Sequence, residues 1–160
     1  MEIAVGMGEI EVTESPHILM AVSIGSCVAV ALYDVGAKIG GLAHIMLPHI
    51  ADIQNRYHPT RFADFAIPTM IDEMKRRGAQ FQNITAKIFG GGNMFPEIIT
   101  PDSPLDVGKR NILAVREELK NRNIQITAEE TGDHIGRTII FNTGDGSVLI
   151  RSVYSGERIY

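Results

Sequence analysis

The chain holds one cysteine, Cys27, in the run Ile24-Gly25-Ser26-Cys27-Val28-Ala29-Val30, and 17 positions later His44 in Gly40-Gly41-Leu42-Ala43-His44-Ile45-Met46-Leu47-Pro48. Both runs are apolar and strand-like. The polar break between them, Asp34-Val35-Gly36-Ala37-Lys38, reads as a hairpin turn because Gly36 accepts positive φ. With Asp34 facing Ala37, an antiparallel register sets Cys27 opposite His44, their Cβ atoms roughly 5 Å apart. A one-residue slip would send the two side chains to opposite faces. Taken singly, a buried free cysteine and a core histidine are ordinary; their coincidence across one hairpin carries the argument.

A thiol beside an imidazole makes a sulfur nucleophile, and the chemistry that suits it is acyl transfer. The sulfur attacks a carbonyl carbon while backbone N–H groups around Gly25, Ser26 and Cys27 stabilise the oxyanion. His44 holds the thiolate as an ion pair, protonates the leaving amine, then activates water against the thioester. A third group normally orients the imidazole; the candidates on the preceding strand are Ser23 and, less directly, Ser26.

Several function classes drop out on bulk properties. A formal net charge of −4, with no lysine–arginine stripe, argues against nucleic acid. Lys75-Arg76-Arg77 before Gly78 reads as a helix C-terminus complementing the macrodipole. A single cysteine forms no internal disulfide, which excludes a small secreted disulfide scaffold. No signal peptide is expected from Met1-Glu2-Ile3-Ala4-Val5-Gly6 and no apolar run reaches membrane-span length, so a cytoplasmic protein without membrane insertion is expected. His44, His49 and His58, spaced by five and nine, share no helical face, so no metal is expected. Gly90-Gly91-Gly92 lacks the Gly-Lys-Ser/Thr of a phosphate loop; it reads instead as backbone approaching backbone at one wall of a cleft, and no cofactor is expected.

At 160 residues a single domain over 1–160 is the natural reading. Strands are predicted near 2–5, 17–23, 27–47 as a hairpin, 84–89, 124–130, 137–142 and 147–153. Helices are predicted over about 61–77, with Pro68 predicting a kink or a later start, and about 108–122. Residues 48–61 read as irregular. Asn142-Thr143-Gly144-Asp145-Gly146 is a strong hairpin signal. Strand runs with two intervening helices point to an α+β protein.

Gly25-Ser26-Cys27-Val28-Ala29-Val30, Ala43-His44-Ile45-Met46-Leu47-Pro48, Ala86-Lys87-Ile88-Phe89-Gly90-Gly91-Gly92 with Met94-Phe95, and Val107-Gly108-Lys109-Arg110-Asn111 resemble, in that order, the CheD family of chemotaxis proteins. The resemblance covers nearly the whole chain. It implies packed, mainly antiparallel β-sheets flanked by helices in αββα layers, similar to the catalytic domain of cytotoxic necrotizing factor. It also implies a protein-glutamine glutaminase that converts glutamines to glutamates on the cytoplasmic region of chemoreceptors, with Cys27 as nucleophile and His44 as base. Binding to the CheC phosphatase is implied as well. In the family a threonine commonly stands six positions before the cysteine and completes the triad; here that position is Ala21. Alanine cannot hydrogen-bond an imidazole, which leaves Ser23 or a backbone carbonyl to orient His44. The alternative is a catalytically weak module that binds CheC and receptor.

Overall fold

The run Val28-Ala29-Val30-Ala31-Leu32-Tyr33 has no polar face, which demands cover on both sides. The computed structural model, which describes residues 1–52 and 58–160, supplies that cover. Its strands are β1 (Glu2–Ala4), β2 (Ile10–Glu14), β3 (Ile18–Ile24), β4 (Val28–Asp34), β5 (Ile39–Ile45), β6 (Ile84–Gly90), β7 (Ile126–Thr131), β8 (Arg137–Asn142), β9 (Val148–Ser152) and β10 (Gly156–Ile159). The α-helices are α1 (Ala63–Arg76) and α2 (Val107–Asn121). An inner sheet has the order β2-β5-β4-β6-β7 and an outer sheet the order β1-β3-β8-β9-β10. The pairs β1–β3 and β6–β7 are parallel and the others antiparallel.

Every residue of β4 and β5 is buried. Val28, Val30 and Leu32 pack with Ile67 and Met70 of α1 and Val115 and Leu119 of α2. Ala29, Ala31 and Tyr33 face the outer sheet through Leu19, Ile139 and Phe141. Each such large side chain contributes roughly 1.5–3 kcal/mol on burial. Close stacking depends on two missing side chains in β5. A Cβ on Gly41 would lie 2.8 Å from the Met70 sulfur, and one on Gly40 would lie 2.9 Å from the Phe141 ring.

The α+β class and the mainly antiparallel sheets agree with the sequence. The layering differs from the expected αββα. Both helices bury their apolar faces in the one cluster beneath the inner sheet, so the stack runs helix, sheet, sheet among the described residues. The reason is that the helices share a single sheet face and touch each other there. α1 runs through Pro68, which sits in its second turn and removes only one early donor. The Asp106 carboxylate caps α2 by accepting from Lys109 N. Strands β2 and β10 are absent from the sequence reading; both are short edge strands carrying charged side chains, Glu11 and Glu14 on β2 and Glu157 and Arg158 on β10, as edges exposed to unwanted pairing commonly do. Residues 53–57 of the irregular stretch lie outside the described residues.

The two sheets are laced at one end by Glu130 of β7. Its carboxylate accepts from Arg137 Nε of β8 at 2.6 Å, from Arg158 Nε of β10, and from the Tyr160 hydroxyl at 2.9 Å. Burial pushes the Glu130 pKa up, but these three donors outweigh it and hold the carboxyl down at about 2. A carboxylate depressed by folding stabilises the protein above its unfolded pKa, and that contribution is lost as pH falls toward 2. Glu130→Gln is therefore expected to cost about 1–2 kcal/mol at pH 7 after solvent screening. In thermal melts, the gap between Glu130→Gln and the parent should close between pH 4.5 and 2; an undiminished gap at pH 2 would contradict this account.

Candidate active site

The hairpin turn is two residues longer than its sequence suggests. Asp34 pairs with Ile39, because its carboxylate oxygen accepts from Gly36 N at 2.8 Å and Ala37 N at 3.0 Å and holds 35–38 as the loop. Lys38 takes the positive φ, 53°. His44 therefore lies opposite Ala29, and Cys27 is its diagonal neighbour instead of its direct partner. A two-residue shift preserves side-chain parity, so both side chains stay on the face toward the outer sheet. Cys27 packs against that cluster, just before β4 begins.

His44 is 3% exposed. Its Nδ1 lies 3.2 Å from the Val5 carbonyl oxygen. A carbonyl only accepts, so Nδ1 carries the proton and Nε2 is left with a lone pair. That Nε2 is buried and has no hydrogen-bond partner among the described residues. Burial lowers the His44 pKa, an effect the Val5 carbonyl and the Glu9 charge partly offset. Burial pushes the half-buried Cys27 thiol up, with its own backbone N–H offsetting in part. Taken singly, each shift favours the uncharged form of its group.

The Gly25-Ser26-Cys27 turn is held by its carbonyls. Gly92 N donates to Gly25 O at 2.9 Å, Gly91 N to Cys27 O at 2.7 Å, and Asn111 Nδ2 to Ser26 O at 3.1 Å. No hydrogen bond to another described residue is donated by the N–H groups of Gly25, Ser26 or Cys27. Gly90 sits at φ 106°, and a Cβ there would lie 2.5 Å from Cys27 O. The glycine run is thus the seat of the cysteine turn, as its reading as backbone against backbone requires.

Ser23 is placed elsewhere. Alternation from Leu19 and Ala21 would turn it inward toward His44. A β-bulge between Ala21 and Ile24, where Ser23 adopts φ 57°, breaks that parity. Val22 and Ser23 are both exposed as a result, and Ile24 takes the inward position. Ser23 instead borders a cleft of about 580 Å³ shared with Gly25, Met94, Val153 and Tyr154. The group that meets the imidazole is the Val5 carbonyl, on the edge beside Ala21. Two contributors escaped sequence reasoning: Val5, whose useful atom belongs to the main chain, and Asn111, a lone polar residue on the stripe side of α2. His49 Nδ1 lies 3.8 Å from an Asp64 carboxylate oxygen, whereas His44 meets the Val5 carbonyl. Among the described residues no three histidine, cysteine or carboxylate side chains converge as a metal site.

Comparison with known proteins identifies the family of the chain. The family model described as CheD chemotactic sensory transduction matches residues 46–152. A protein of Desulforamulus reducens named probable chemoreceptor glutamine deamidase CheD is 45% identical over 99% of this chain and 95% of its own length. Proteins of the same name from Clostridium acetobutylicum (98% and 94% covered) and Caldanaerobacter subterraneus (96% and 94% covered) are each 42% identical. The relatives match over nearly their full length, and the chain belongs to the CheD family.

Proposed function

We propose that this protein deamidates glutamine side chains on the cytoplasmic region of chemoreceptors, with Cys27 as nucleophile and His44 as general base. The single observation that carries the reading is the buried Nε2 lone pair of His44, without a partner among the described residues, on the face that Cys27 occupies. In the reaction Nε2 takes the thiol proton as the Cys27 sulfur bonds to the glutamine carbonyl carbon. The N–H groups of Gly25, Ser26 and Cys27, which donate to no other described residue, are available to the oxyanion. The imidazolium then gives its proton to the amide nitrogen, the C–N bond breaks and ammonia leaves. Water, deprotonated by His44, attacks the thioester; the C–S bond breaks, the sulfur recovers its proton, and a glutamate remains. The Val5 carbonyl stabilises the transient imidazolium through Nδ1–H, a role that side-chain acceptors fill in other triads.

A second reading rests on Ala21: a module that binds receptor and CheC without effective catalysis. The two separate cleanly. Incubated with a receptor cytoplasmic fragment, the parent protein should add about 1 Da per modified glutamine, the replacement of NH₂ by OH. Cys27→Ala and His44→Ala should each lower that rate by at least about 10³-fold. Intact glutamines with the parent, alongside CheC binding that survives Cys27→Ala, would favour the second reading.

The directions of the two pKa shifts give a further expectation. A thiol raised by burial stays protonated to higher pH than an ordinary cysteine, whose value is about 8.5. Iodoacetamide labelling of Cys27 without substrate should therefore rise only above that pH. Rapid labelling near pH 6 would show a resting thiolate–imidazolium pair and overturn the neutral assignment.

A further inference from the structure

Beyond the last rung of the β4–β5 ladder, Val28 opposite Ile45, the two strands part. Cys27 O is taken by Gly91 N, and Met46 N donates to Arg61 O, so the next pair makes no direct rung. The gap is bridged from α2. Asn111 Nδ2 donates to Ser26 O at 3.1 Å and to Met46 O at 2.9 Å. Ser26 immediately precedes the nucleophile, and Met46 lies two residues past His44. One planar amide group thus spans the chain segments that carry the two reacting side chains.

We propose that Asn111 is a positioning residue for the Cys27–His44 pair, acting through these two carbonyls; this rests on the deamidase reading above. Three observations support it. Asn111 is fully buried, where a helix normally places an apolar side chain. Its Oδ1 is also buried and accepts no hydrogen bond among the described residues, so the residue is not the most stable choice for its site. A flipped amide would aim Oδ1 at two carbonyl oxygens, so the orientation is fixed by the network. Close approach of the α2 start to the glycine run, at Gly108, brings this side chain within reach. Asn111 touches neither reacting atom. It sets the distance a thiol proton must cross to Nε2, and misplacement of about 1 Å is enough to cost of order 10²-fold in rate.

The test uses the full chain with Asn111→Ala and the isosteric Asn111→Asp, which removes both donors. On a receptor fragment, kcat should fall about 10- to 100-fold while KM stays within about twofold. A purely structural role would lower the melting temperature and leave kcat intact well below it; a folded variant with parental kcat overturns the proposal. Should both variants fail to fold, Asn111→Ser, which keeps one donor, gives the same reading through an intermediate fall in kcat. A double-mutant cycle on iodoacetamide labelling at pH 9 needs no receptor. His44→Ala should slow labelling in the parent and change it at least fivefold less in the Asn111→Asp background. Equal His44 dependence in both backgrounds, or none in the parent, overturns the clamp. An absence of deamidation by the parent with the cycle intact would instead sink the deamidase reading alone.

Discussion

Desolvation at the open end of the β4–β5 ladder governs the rest of this molecule. The strands must be covered on both faces because, apart from the Tyr33 hydroxyl, Asp34 at the turn and His44, both are runs of apolar residues and glycine. That cover excludes water from His44 and partly from Cys27, and in low dielectric each group prefers to be uncharged. A neutral imidazole needs a defined tautomer, so an acceptor must meet one nitrogen and leave the other bare. The stacking of two sheets on a helical layer is therefore also the electrostatic design of the site.

Holding such a pair in place calls for contacts that do not themselves titrate. The structure uses main-chain carbonyls, glycine N–H groups and one amide. Gly90, Gly91 and Gly92 let β6 and its exit pass against the cysteine turn, and α2 leans on the same run through Gly108. Charges are kept at the rim: Glu130 and its donors lace the sheets near the exit of β7, outside the inter-sheet core that surrounds the imidazole. Ionic rigidity and neutral chemistry occupy neighbouring but separate ground.

Much of this was legible in the residues. Cys27 and His44 fall on one face whether the loop closes at Ala37 or Ile39, since parity survives an even shift. The helices, the Asn142–Gly146 hairpin and the structural role of the glycine run follow from periodicity and turn chemistry. Ser23 did not follow, because a bulge inserts one residue and inverts alternation, and nothing in Val22-Ser23 announces it. The helix-sheet-sheet layering did not follow either: each helix shows an apolar stripe, but a stripe does not name the sheet face it will meet. Asn111 is quoted in a motif yet gives no local sign that its amide spans two carbonyls.

The acceptor for His44 belongs to the peptide unit of Val5, so no substitution at that position deletes it. It can be withdrawn only by displacing the strand. β1 is three residues long, lies on a sheet edge, and is paired with β3 alone. Fusions, tags or proteolysis that displace this strand would thus act on the imidazole's proton as directly as a change of side chain beside it, while leaving Cys27 and His44 chemically untouched.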